Sequence, residues 1–268
     1  MWRTKRPDPE HIRLLNEERE KGDLVPLFIH DSYLINLAAP PSEIREKSIE
    51  GFRGEIERAL LIGAEYLIAH PGNYKGLTLE QGLLNVAEGV ALAWRSIDAG
   101  LKAKPKLKIL FENTAGAGAQ LGGKLNELAL IRSLAQPYLD IPIGFCLDTC
   151  HCYVSGFDIS QEKGLTNFLL DASETLGLEN VPVIHTNDTK MKLGSHCDRH
   201  SHIGEGNIGI EGFRRILNHP SLLEKAFILE TPVDEPGDDL RNVRALQNLV
   251  ASTKVAKRGK RGALRLGR

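Results

Sequence analysis

Six short apolar runs in this sequence are each followed at once by a side chain able to bind a metal ion. The runs are Leu24–Ile29, Tyr66–Ala69, Leu107–Phe111, Ile143–Leu147, Val181–Ile184 and Ala226–Leu229. The residues that follow them are His30, His70, Glu112, Asp148, His185 and Glu230. A single histidine or glutamate in such a place is ordinarily a hydrogen-bonded polar residue or a cap. Six obeying one rule call for another reason, because His, Asp and Glu together make up fewer than one residue in five. Carboxylates gathered in one place repel one another and take up protons unless a cation sits among them. Imidazole and carboxylate without thiolate suit hydrolytic zinc, manganese or iron.

A second set lies just beyond these positions. Asp148 and His151 stand in a D-x-x-H spacing, which is expected to send the two side chains away from the strand end in different directions. Asp198 and His200 stand two apart in a loop after the fifth run. His151, Asp198 and His200 could together hold a further ion with two imidazoles and one carboxylate. Nine candidates are more than one ion can use. If one carboxylate bridges two ions, they fill three sites of three or four protein ligands each, with places left for water and substrate. Such a cluster suits phosphodiester cleavage, since it can acidify a water, neutralise phosphate oxygens and stabilise a departing alkoxide.

The elements that must position these residues follow from periodicity. The apolar runs are short, β-branched or aromatic, and bounded by Pro, Gly or polar residues, as buried parallel strands are. Between them Pro41–Ile62, Leu77–Ala99, Lys124–Leu134 and Gln161–Leu176 repeat apolar residues every three or four positions, and Asp239–Val250 reads as a last helix. The alternation points to a TIM (β/α) barrel, whose strand C-termini share the face that carries active sites. Five intervals separate His30 from Glu230, or about 40 residues per unit. At that spacing the chain holds six units where a closed barrel has eight, so the first two strands are expected to be missing, or the barrel open. Residues 1–252 form this N-terminally truncated barrel domain, and 253–268 a basic tail expected to be disordered.

Composition narrows the function classes. The chain has 268 residues, 41% hydrophobic and 26% charged, which excludes a disordered protein. No apolar run approaches the roughly 20 residues needed to cross a bilayer. Met1–Glu10 has no apolar segment behind its basic residues, so no signal peptide is expected. Four cysteines read as reduced thiols of a cytoplasmic protein. A net charge of −1 gives no global attraction to nucleic acid, so any such binding must be local. Several other patterns carry less. Gly204–Gly209 (GEGNIG) matches G-x-G-x-x-G as a string but follows a loop, so it reads as a turn leading into a helix rather than a dinucleotide site. Cys146, Cys150, Cys152 and Cys197 read as packing or bystander thiols. His196 and His202 read as surface residues or supports of the neighbouring ligands. Gly116–Gly123 reads as a connector or a backbone phosphate cradle.

The strings His30–Leu37 (HDSYLINL), Ala69–Gly72 (AHPG), Glu112–Gly116 (ENTAG), Leu147–His151 (LDTCH), His185–Lys190 (HTNDTK), Asp198–His200 with Gly204–Gly209, and Ile228–Pro232 (ILETP) resemble the endonuclease IV family of apurinic/apyrimidinic endonucleases. Seven motifs in series make the resemblance specific. It implies a barrel with three zinc ions: the first on His30, His70 and Glu112; the second on Glu112, Asp148, His185 and Glu230; the third on His151, Asp198 and His200. It further implies hydrolysis of the phosphodiester 5′ to an abasic site in double-stranded DNA by a metal-bound hydroxide, which the catalytic Glu112 orients or deprotonates. Tyr33 and Leu34 match positions that press into the minor groove, and the family reading leans to a monomer. Family members carry a strand, a helix and a second strand upstream of the segment that here begins with Met1, where the unit spacing also places the deficit. Two other functions fit parts of the pattern. A metal-dependent sugar isomerase or epimerase on a similar barrel needs one or two ions and leaves His151, Asp198 and His200 without a role. A damaged-DNA-binding remnant would hold abasic DNA without turning it over.

Overall fold

The computed structural model describes residues 6–102, 106–250 and 266–267. Two compact units divide the chain. The first contains residues 1–112, 118–122 and 126–145, and the second contains 113–117, 123–125 and 146–268.

In the first unit the chain begins with helix α1 (Pro9–Gly22), which the apolar pattern had not signalled. Its charged surface buries no residue. What starts it is local: Asp8 caps the N-terminus by accepting from the Glu10 amide, and Pro9 is preset for the first turn. Arg19 then ties it to Glu65, whose carboxylate also accepts from the Leu27 amide at 2.7 Å. Three parallel strands follow, β1 (Phe28–His30), β2 (Tyr66–Ala69) and β3 (Lys108–Glu112), with Ile29 opposite Leu67 and Leu67 opposite Ile109. Strand β1 is shorter than the run Leu24–Ile29 suggested. Pro26 has no N–H to give a ladder, and Leu24 and Val25 are exposed. The amide of Ile109 donates to Pro142 at 3.1 Å, where β4 (Ile143–Asp148) begins. Helices α2 (Glu43–Ile62) and α3 (Leu79–Arg95) cross between strands. Ser42 caps the first, and a Thr78–Gln81 capping box starts the second. Phe52, Ile56, Val86 and Val90 on their inner faces are fully buried, as are Leu67, Ile109, Leu110 and Phe111 of the strands. Burying side chains of this size contributes about 1.5–3 kcal/mol each. Helix α4 (Leu125–Ala135) precedes β4.

The second unit takes up β4 at Cys146 and adds β5 (Val183–His185) and β6 (Ala226–Ile228), again parallel, with Leu147 opposite Ile184 and Ile184 opposite Phe227. Helices α5 (Thr149–Ser155), α6 (Glu162–Thr175), α7 (Gly209–Asn218) and α8 (Asp238–Leu249) belong to it. Their buried faces, among them Leu165, Phe168, Phe213 and Leu246, supply its core. All six expected strands therefore form, in chain order. Most of 253–268 lies outside the described residues. Within that expected tail, Leu266–Gly267 forms a short strand, β7, parallel to β6 with Gly267 opposite Ile228.

Candidate metal centre

In the first unit His30 closes β1, His70 follows β2 directly and Glu112 closes β3. A ligand atom from each lies within 4.8 Å of the other two. Parallel pairing in register is what brings them together, because each is the last or next residue of adjacent strands. Glu112 is fully buried, and its carboxylate lies 3.1 Å from Nε2 of His30. The other nitrogen of His30, Nδ1, lies 3.0 Å from the Asp31 carbonyl oxygen and 3.5 Å from the Asp31 carboxylate. That anchor turns Nε2 toward Glu112 and His70. Burial alone would push the His30 imidazole down, but the Glu112 hydrogen bond and the charges of Glu112 and Asp31 raise it to about 9. The Asp31 carboxyl is itself driven well above the ordinary carboxylate range, chiefly by burial.

In the second unit Asp148, His185 and Glu230 present ligand atoms within 4.8 Å of one another, with His185 Nδ1 3.1 Å from Glu230. Asp148 also groups with His151 and His200. Here the structure departs from the expected divergence of Asp148 and His151. Asp148 is the N-cap of α5 and accepts from the His151 amide at 2.7 Å. The pair therefore sits on one side of the first helical turn, with His151 Nδ1 3.8 Å from Asp148 Oδ1. Asp198 joins from the loop, 3.2 Å from His151 Nε2 and 3.3 Å from His200 Nε2. Nδ1 of His200 is held by the Glu230 carbonyl oxygen at 3.0 Å, while its buried Nε2 makes no hydrogen bond. Burial pushes this imidazole down too, yet the Asp148 charge, Cys150, the Glu230 carbonyl and the Asp198 charge bring it up to about 10.

Two buried amides that the sequence had not marked hold these ligands in place. Asn113 accepts from the Asp148 amide at 2.6 Å, and its own carbonyl oxygen lies 2.9 Å from His151 Nδ1, which leaves Nε2 for an ion. Asn187 donates to Asp148 Oδ2 and accepts from the Glu230 amide at 2.8 Å. Asparagine carries no spacing signal when its partners are backbone groups dozens of residues away. Imidazoles anchored through one nitrogen, with carboxylates beside the other, make donor sets that fit metal ions.

The other candidates sort as follows. Tyr33 is 89% exposed in the loop after β1, and Leu34 is half-buried. Cys146, Cys150 and Cys152 are buried, in keeping with packing thiols, although Cys150 also groups with Asp198 and His200. His196 supports a loop, its Nδ1 2.7 Å from the Ala115 carbonyl oxygen, and His202 meets Asn242 at 3.0 Å. From the glycine-rich loop, Gln120 bridges to Asn73 and the Leu121 amide donates to Gly72, so part of the loop is pinned to the segment after β2.

Comparison with known proteins extends this reading. Residues 3–252 match the family described as xylose isomerase-like TIM barrel. A probable endonuclease 4 from Solibacter usitatus is 54% identical over 252 residues, which cover 94% of this chain and 85% of that protein. This chain belongs to the endonuclease 4 family. It is an endonuclease of the deoxyribonuclease IV type. An endonuclease 4 of Thermus thermophilus is 37% identical over 92% of this chain and 83% of its own length. The crystal structure of endonuclease IV from another strain of Thermus thermophilus superimposes with a TM-score of 0.79 at 36% identity, covering 93% of this chain and 84% of that one. A D-tagatose 3-epimerase-like protein, 21% identical with a TM-score of 0.63, shares the fold alone, covering 90% of this chain and 83% of its own.

Proposed function

We propose that this endonuclease repairs double-stranded DNA by hydrolysing the phosphodiester 5′ to an abasic site, using three zinc ions. The observation that carries the proposal is the grouping of ligand-type side chains within each unit, His30, His70 and Glu112 in the first and Asp148, His151, His185, Asp198, His200 and Glu230 in the second. In this reading His30, His70 and Glu112 hold one ion. Asp148, His185 and Glu230 would hold a second. His151, Asp198 and His200 hold the third. When bound, the ions acidify water and neutralise charge on the scissile phosphate. The chain's own part is to place and orient. Glu112, buried and acceptor-only when ionised, directs the attacking water and takes its proton. Asn113 and Asn187 keep His151 and Asp148 from turning away. Tyr33 presents an aromatic ring to the duplex, a wedge of the kind that bends DNA and opens the stack at a lesion, with Leu34 beside it. The enzyme is proposed to act as a monomer in the cytoplasm, where its four free cysteines stay reduced.

The test is incision of a duplex carrying one abasic analogue by zinc-loaded protein. A single cut 5′ to the analogue, lost in Glu112→Gln with the fold intact, is expected. No incision by the metal-loaded chain would refute the activity, and near-normal turnover by Glu112→Gln would refute its role. An epimerase of similar barrel is distinguished by metal content, because it needs no third ion.

A further inference from the structure

The string Gly204–Gly209 turns out to be a cradle that is already filled. Asp188, fully buried just after β5, collects five backbone N–H groups on one carboxylate. The amides of Gly204, Gly206 and Gly209 donate to Oδ2 at 2.9, 3.0 and 3.3 Å. Those of Thr189 and Ile208 donate to Oδ1 at 2.8 and 3.1 Å. Successive amides folded in this way form a concavity for an anion. A β-carbon on Gly206 would stand 2.4 Å from Asp188 Oδ1 and from the Thr189 carbonyl oxygen, so the cradle is closed on its own carboxylate. Ile208, the N-cap of α7, has no side-chain cap bond, and Asp188 supplies that negative charge from another part of the chain.

The same short segment grips the ligand loop on both sides of His200. The Ser201 amide donates to the Asp188 carbonyl at 2.8 Å, and Thr189 Oγ1 donates to the Arg199 carbonyl at 2.8 Å. The Asn207 amide returns to Thr189 at 2.7 Å. We infer that Asp188 is a positioning residue: its charge holds the 204–209 cradle, and the cradle fixes the Asp198–His200 loop in the geometry that binds the third ion. The inference rests on the three-ion reading above. In Asp188→Asn, an NH2 group replaces one oxygen and meets two or three N–H donors instead of accepting from them. Side chains that orient metal ligands typically change metal affinity by about 10- to 100-fold, and a loss of that size is expected at the His151–Asp198–His200 group alone.

The experiment titrates the full-length metal-free protein with Zn²⁺ against a chromophoric chelator. In parallel it follows amide hydrogen exchange at Ser201, Gly204, Gly206 and Ile208 without metal. Asp188→Asn should lose one of three binding steps, the step also lost in Asp198→Ala, and should exchange faster at those four amides. Glu211→Gln on the exposed face of α7 should change neither. Thr189→Val, which removes the grip on Arg199 and the bond from the Met191 amide while keeping the Asp188 carboxylate, should weaken the same step to a lesser degree, and it decides the matter if Asp188→Asn does not fold. Unchanged affinity at that step with unchanged exchange would overturn the inference. So would uniform weakening of all three steps, which marks general destabilisation. If wild-type protein binds fewer than three ions, the three-ion reading fails by itself. The exchange data then judge the clamp: faster exchange in the variant supports it, and equal exchange refutes it.

Discussion

Metal binding by this protein should release protons near neutral pH, with His30 and His200 as two of their sources. In the metal-free fold His30 titrates at about 9 and His200 at about 10, so both imidazoles are protonated at pH 7. The proton on each occupies the lone pair an ion needs, and ligands must shed it on binding. Loading these two positions therefore displaces about one proton each, beyond anything the remaining ligands give up. While the imidazole stays protonated in the free site, each unit drop in pH costs about 1.4 kcal/mol, or tenfold in apparent affinity. From pH 8 to pH 6 that is about 100-fold at each of the two positions. Calorimetric Zn²⁺ titrations in buffers of different ionisation heat read the proton count directly. The source can be checked by the pH titration of the imidazole C–H resonances: His30 should titrate below its wild-type midpoint in metal-free Glu112→Gln, because its main supporting carboxylate is gone.

The same shifts fix the sign of the pH dependence of stability. An unfolded imidazole titrates near 6.5. The folded metal-free protein holds these protons more tightly, so the stabilisation is complete below pH 6.5 and is lost as pH rises through about 9 and 10. Metal-free protein should thus melt at progressively lower temperature from pH 7 to pH 10. The reasoning is refuted if both histidines titrate near their ordinary value, or if zinc affinity is flat between pH 8 and pH 6.

Three further substitutions separate packing from recognition. Gly206→Ala must push a methyl into the Asp188 carboxylate and the Thr189 backbone, which should cost about 3 kcal/mol or more by chemical denaturation. Gly209→Ala, with φ of +67° and open space around it, should cost only about 1–2 kcal/mol for its left-handed backbone; equal losses would argue against the closed cradle. Tyr33→Ala removes a ring that is 89% exposed, so stability should stay within about 0.5 kcal/mol while affinity for an abasic duplex falls. Undiminished binding would show that the ring does not wedge the DNA.

How much of this was legible in the sequence differs from residue to residue, and the physics explains the difference. The six strand-end ligands could be read because a parallel strand buried on both faces leaves an unbroken apolar run, and the residue after it is the first free to be polar. The beginning of β1 was not legible from hydropathy, since Leu24 and Val25 are apolar yet exposed. Helix α1 was missed for the opposite reason, being held by a cap and the Arg19–Glu65 pair rather than by an apolar face. The D-x-x-H spacing of Asp148 and His151 points to divergence from the strand end only while the helix start at Asp148 is left out of account. With Asp148 as an N-cap, three residues on is nearly one helical turn, and the two side chains converge.

The supports show why the chain uses amides where it does. Around the second-unit ligands, Asp148, Asp198 and Glu230 already bring three negative charges to His151, His185 and His200. A further carboxylate among them would raise the charge the ions must balance and would compete for them as a ligand. Asn113 and Asn187 instead donate and accept without charge: Asn113 takes the Asp148 amide and Asn187 donates to Oδ2, while the His151 amide donates to Oδ1. A further buried carboxylate of this unit, Asp188, is aimed into five amides, where backbone dipoles and the start of α7 offset its charge. A charge placed there can order the loop without entering the coordination sphere, and for that reason its loss should be felt as misplaced ligands rather than as a missing one.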